Sequence, residues 1–66
     1  MNVNLLRSKM ALEGHRDKDL AGVLESTPNT AYKKLRGEVT FYPSDIKKII
    51  ERYRLTPEET QQIFFT

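Results

Sequence analysis

The chain has 66 residues, with 11 Lys and Arg against 9 Asp and Glu, one His, no Cys and no Trp. Such a length is expected to form one domain, residues 1–66, burying only ~60% of the surface its unfolded form exposes. With no cysteine, and one His among scattered carboxylates, neither a disulfide nor a metal site is expected, so stability has to come from packed helices, aided by pairing of two copies. The inventory holds no Ser-His-Asp set and no Gly-rich phosphate loop, which argues against an enzyme and against a cofactor. No apolar run approaches the ~20 residues that span a bilayer. The start Met-Asn-Val-Asn-Leu-Leu-Arg lacks the charged lead and apolar core of a signal peptide. The expected location is therefore the cytoplasm, with no membrane partner.

From Val3 to about Glu13, Val3, Leu6 and Met10 stand at i, i+3 and i+7 with Leu5 and Leu12 beside them, one face of a helix. Asn2 or Asn4 can cap it and Gly14 can end it. A second helix of about two turns follows from Asp17 to Leu24, with acidic residues at its start and Leu20, Ala21 and Leu24 on one face. Thr27-Pro28 restarts the helical pattern, since Thr caps the free amides and Pro fits the first position without losing a hydrogen bond. That third helix runs to Arg36 and closes at Gly37. Residues 38–42 are strand-like in type but have no partner of similar character, so 37–42 reads as an extended connection. Pro43 opens a fourth helix whose Ile46, Ile49, Ile50 and Tyr53 form the clearest amphipathic face in the chain. Thr56-Pro57-Glu58-Glu59 is a capping box starting a fifth helix that ends in Ile63-Phe64-Phe65. The fold class is all-α, five short helices.

Only Glu25, Ser26 and Thr27 join the second and third helices, a connection suited to a helix-turn-helix over about 17–36 rather than to antiparallel packing. On the third helix Ala31 and Leu35 point one way, while Asn29, Tyr32, Lys33 and Arg36 form a stripe well away from them. Asn can bridge an adenine edge and Lys can donate to guanine O6 and N7, so this stripe suits a major groove. A plain solvated helix face is the alternative reading of the same pattern.

Asp19-Leu20-Ala21, Ser26-Thr27-Pro28-Asn29-Thr30-Ala31 and Lys34-Leu35-Arg36-Gly37 resemble the Cro and phage-repressor helix-turn-helix family, the lambda-repressor-like DNA-binding domains. Over nearly the whole chain the order of Thr30, Lys34-Leu35, Gly37, Phe41, the Ile46 to Ile50 helix and Ile63-Phe64-Phe65 is similar to small Cro-like regulators of phages and prophages. The resemblance implies base contacts from Pro28, Asn29, Tyr32 and Lys33. It implies backbone contacts from Thr27 and Thr30 with the free helix-end amides, from Arg16 and Lys18 near the start of the second helix, and from Arg36, Gly37 and Thr40 beyond the third. Tyr42 either packs under the connection or carries its hydroxyl to a phosphate.

Several positions depart from the family pattern. Glu25 stands where Gly is usual, and a left-handed backbone there costs on the order of 1 kcal/mol. Pro28 can offer a base only apolar contact, which shifts the reading of sequence onto Asn29 and Lys33. Met10 and Leu35 stand where many relatives place an Arg–Glu pair, so a hydrophobic contact replaces it. Asp17 stands where relatives place Gln near a phosphate and is expected to support the helix N-terminus instead. His15 is expected to pack half-buried, with a phosphate contact or pH sensing as the alternative. Adjacent helical residues point about 100° apart. One of Phe64 and Phe65 therefore faces inward and the other outward, and the end of the fifth helix, about 57–65 with Ile63, Phe64 and Phe65, is the expected dimer element.

The expected function is a DNA-binding transcription regulator, a Cro-like repressor holding a near-palindromic double-stranded operator as a homodimer, with no small-molecule ligand. The alternatives are a protein-binding modulator that sequesters another regulator and an autoregulating antitoxin. Charge is sorted along the chain: residues 27–42 carry Lys33, Lys34 and Arg36 against Glu38 alone, whereas 57–66 carry only Glu58 and Glu59. The positive charge thus lies on the helix expected to meet DNA.

Overall fold

Five capped helices account for most of the chain in the computed structural model, which describes all 66 residues: α1 (Val3–Leu12), α2 (Asp17–Leu24), α3 (Pro28–Leu35), α4 (Pro43–Tyr53) and α5 (Pro57–Phe64). The boundaries follow local chemistry. Asn2, rather than Asn4, caps α1 by accepting from the Leu5 N–H at 3.1 Å. Thr27 accepts from the Thr30 N–H at 3.3 Å, with Pro28 at the first helical position of α3. At α5 the box closes both ways: Thr56 Oγ1 accepts from Glu59 N–H at 3.1 Å and the Glu59 carboxylate accepts from Thr56 N–H at 2.9 Å. Glu59 also takes Lys9 of α1 at 2.8 Å, so this cap ties two helices together.

The C-terminal ends repeat one device. After α1, α2 and α3 a residue with positive φ turns the chain, and two amides reach back to carbonyls the helix leaves free. At α3, Gly37 (φ 80°) donates to Lys34 O at 3.1 Å and Glu38 donates to Lys33 O at 2.9 Å. At α2 the same turn is made by Glu25, with φ 57° and ψ 41°; Ser26 donates to Ala21 O at 2.9 Å. Glu25 thus adopts the left-handed backbone that a Gly would take without strain. The helices end one residue short of the sequence expectation at Glu13, Arg36 and Phe65, which serve as caps.

One apolar cluster draws on every helix: Leu6 and Met10 of α1, Leu20, Ala21 and Leu24 of α2, Ala31 and Leu35 of α3, Ile49 and Tyr53 of α4, Ile63 of α5, with Phe41 and Leu55 from the connections. α2 packs against α3 and α4, and α1 against α5. Met10 and Leu35 are both closed in this core. Residues 37–42 form no strand; after the turn at Gly37 they carry Phe41 inward, edge to face on Phe64 with ring centres 5.4 Å apart. Of the two adjacent phenylalanines Phe64 leans on the core, while Phe65 is 61% exposed. No helix is long and apolar enough to cross a membrane.

Replacing Glu25 by Gly should relieve the left-handed strain at the loss of one exposed Lys48 contact. The expected result is a gain of about 0.5–1 kcal/mol, read as a melting temperature higher by a few degrees. An unchanged or lower melting temperature would show that the turn is not strained.

Candidate nucleic-acid interface

α3 sorts its residues by face. Ala31, Lys34 and Leu35 are buried, Pro28, Asn29 and Lys33 are exposed, and Thr30 and Tyr32 are half-buried. Helical spacing places Asn29 and Lys33 outside and Ala31 and Leu35 inside, as expected. Lys34 is the exception to the expected charge distribution. It points inward, 5% exposed, and its Nζ donates to Asp45 Oδ2 of α4 at 2.6 Å while lying 4.8 Å from the centre of the Tyr42 ring. Lys34 lies three residues after Ala31 and one before Leu35, on the arc of α3 that packs inward, which is the clue the sequence held.

Asp45 is shared between two tasks. It holds Lys34 and also accepts from the Tyr42 N–H at 2.9 Å, capping α4. Burial raises its pKa, but the Lys34 hydrogen bond and the Tyr42 amide outweigh that and hold the carboxyl below its ordinary 3.8. Tyr42 does not pack under the connection. The residue is 59% exposed, with the Lys34 ammonium beside its ring.

The remaining α3 cations differ from each other. Arg36 bonds to Glu38, so its charge is partly answered within the chain. Lys33 has no carboxylate partner and is the free cation of the helix. Gly37 and Thr40 are exposed beyond the helix end, and the Thr30 hydroxyl is engaged by Thr27 Oγ1 at 3.0 Å.

Beside α3 lies an open groove of about 520 Å³ lined by Arg7, Met10, His15, Arg16, Asp17, Lys18 and Tyr32. The structure thus brings Arg16 and Lys18 together with Tyr32, three residues singled out in the sequence. Arg7 was not singled out, because only the packing of α1 beside the start of α2 places it there. Asp17 stands in the first turn of α2, where a carboxylate suits the helix N-terminus, but it makes no capping hydrogen bond. Its two carboxylate oxygens take Arg7 Nε at 3.2 Å and Nη2 at 3.0 Å, and it is Asp19 that caps, accepting from the Arg16 N–H at 2.8 Å.

His15 is fixed from both sides. Arg52 can only donate, so the 3.1 Å contact makes Nε2 an acceptor and leaves Nδ1 to donate to Tyr53 Oη at 2.8 Å. Burial pushes the Tyr53 phenol pKa up. The half-buried ring therefore ties the α1–α2 connection to α4. In α5, Ile63 has no exposed surface, which corrects its expected place in a dimer contact: it belongs to the monomer core. The surface left there is a second groove of about 340 Å³ lined by Ile50, Leu55, Pro57, Thr60, Gln61 and Phe65.

No protein-family model, curated protein or solved structure matches this chain.

Truncating Asp45 to Ala strands a buried ammonium and removes a cap, with an expected cost of about 3–5 kcal/mol in chemical denaturation. Lys34→Met should cost less, since the carboxylate keeps the Tyr42 amide. The lowered Asp45 pKa adds stability that is complete above the ordinary carboxyl value and is lost as pH falls below it. Acidification below about pH 4 should therefore destabilise the parent more steeply than Asp45→Asn. Parallel pH profiles would remove the pair from the stability account.

Proposed function

We propose that the chain is a sequence-specific DNA-binding regulator of the Cro-like kind, with α2, residues 25–27 and α3 acting as a helix-turn-helix and two copies sharing one operator. The observation that carries this reading is the joint surface of α3 and the groove: Pro28, Asn29 and Lys33 exposed on one helix, with Tyr32 of that helix lining a groove with Arg16 and Lys18. Asn29 suits an adenine edge and Lys33 a guanine edge, while Pro28 offers apolar contact to a thymine methyl. The amides at the start of α3 beside Thr27, together with Arg16 and Lys18, suit phosphates on either side. Thr30, Gly37, Thr40 and Arg36 extend the backbone contacts, Arg36 after exchanging Glu38 for a phosphate.

Pairing of two copies is assigned to the apolar groove around Phe65, with Phe64 supporting it from inside. Two α3 helices would then enter successive major grooves about 34 Å apart. A protein-binding modulator would use the Phe65 groove as its main site and leave the α3 surface idle, and an autoregulating antitoxin would use both.

The test is selection of duplexes from a random pool, followed by anisotropy titration. The expected product is a two-fold motif, and with about eight phosphates neutralised per dimer the slope of log affinity against log salt is near −7. Lys33→Ala should lose about tenfold or more on the selected site and little on random DNA, a bidentate base contact being worth ~1–3 kcal/mol. Arg36→Ala should weaken both alike. Phe65→Ser should leave half-site binding and remove the gain from the second half-site. No enrichment with a slope near zero would overturn the reading.

A further inference from the structure

The Arg7–Asp17 pair differs from the buried Lys34–Asp45 pair. Its side chains are 42% and 39% exposed, against 6% and 8%, and it lies in the wall of the groove that also holds Arg16, Lys18 and Tyr32. Arg7 presents Nε and Nη2 as a fork to the two carboxylate oxygens. That fork fits the oxygens of a phosphodiester equally well. Asp17 has no other side-chain partner, because capping of α2 is done by Asp19. The pair is open to solvent on one side, so an incoming anion of the same shape can reach the guanidinium and compete with the carboxylate for its fork.

We infer that Arg7 is a further phosphate ligand of the groove, held in reserve by Asp17, whose carboxylate occupies the guanidinium as a DNA phosphate would. The inference rests on the DNA-binding reading above and deepens it. When a phosphodiester enters between Arg16, Lys18 and Tyr32, the two Arg7 hydrogen bonds pass from Asp17 to the phosphate and the carboxylate turns to solvent. His15, also in the groove wall, takes no part, since both ring nitrogens are engaged by Tyr53 and Arg52. Asp17 thereby sets a ceiling on affinity for every sequence, and leaves discrimination to α3.

The experiment is anisotropy titration of selected and random duplexes at several salt concentrations with the parent, Asp17→Asn, Arg7→Gln and the double variant. Glu58→Gln, which changes charge equally on α5 outside the groove, is the control. Asp17→Asn should tighten binding to both duplexes by about three- to tenfold at low salt and steepen the slope by roughly one per protomer. Glu58→Gln should change affinity by less than about twofold, and Asp17→Asn should do no more than that once Arg7 is Gln. A gain that persists without Arg7, or that equals the control, overturns the inference while leaving DNA binding in place. Failure of the parent and of Asp17→Asn to bind any duplex overturns both. The unmodified protein gives an answer independent of variant folding: the Arg7 side-chain Nε resonance should move on adding duplex, and an unmoved resonance counts against the exchange.

Discussion

The contact on which the proposed surface depends is the buried pair between Lys34 of α3 and Asp45 of α4. A charged pair closed from solvent is weak evidence for stability, because desolvation of both ions offsets their attraction. What it supplies is orientation. With the Lys34 ammonium drawn to Asp45 at 2.6 Å, α3 cannot roll without stranding a buried charge, and its rotation sets Asn29 and Lys33 outward while Ala31 and Leu35 stay in the core. The same carboxylate caps α4 through the Tyr42 amide, so the position of α3 and the start of α4 are settled by one side chain.

Charge is distributed by pairing more than by sequence position. Arg7, Lys9, Lys34, Arg36, Lys48 and Arg52 each meet a carboxylate. Arg16, Lys18, Lys33, Lys47 and Arg54 do not, and the first three belong to the α2 start and the outward face of α3. The small positive excess of the whole chain is thus concentrated where an anion can approach. The Arg7–Asp17 pair sits at the edge of that region, open to solvent on one side, whereas Lys34–Asp45 is closed. The forked, half-exposed Arg7–Asp17 pair and the single buried Lys34–Asp45 contact take different roles because their exposure differs.

Much of the fold was legible because its punctuation is local. Thr27-Pro28 and Thr56-Pro57-Glu58-Glu59 start helices through bonds spanning three residues, and Gly14 and Gly37 end them through amides that reach back five. The outward positions of Asn29 and Lys33 follow from helical spacing alone. What was not legible depends on residues distant in sequence. Lys34 finds Asp45 across eleven positions and Arg7 finds Asp17 across ten, and His15 meets Tyr53 across thirty-eight. No periodicity encodes such partners. The end of α5 is apolar all round, so its sequence does not distinguish Ile63 from Phe65; only the packing of α5 on the core buries the one and leaves the other exposed.

The central claim is that the α2 start and the outer face of α3 form one surface that meets DNA. It is tested most directly by mapping backbone amide shifts of the isotope-labelled protein as duplex is added. The account predicts the largest changes at Arg16, Asp17 and Lys18 and from Thr27 through Lys33, with the α5 groove moving only as copies pair. Changes confined to Ile50, Leu55 and Phe65, with α3 unmoved, would contradict it.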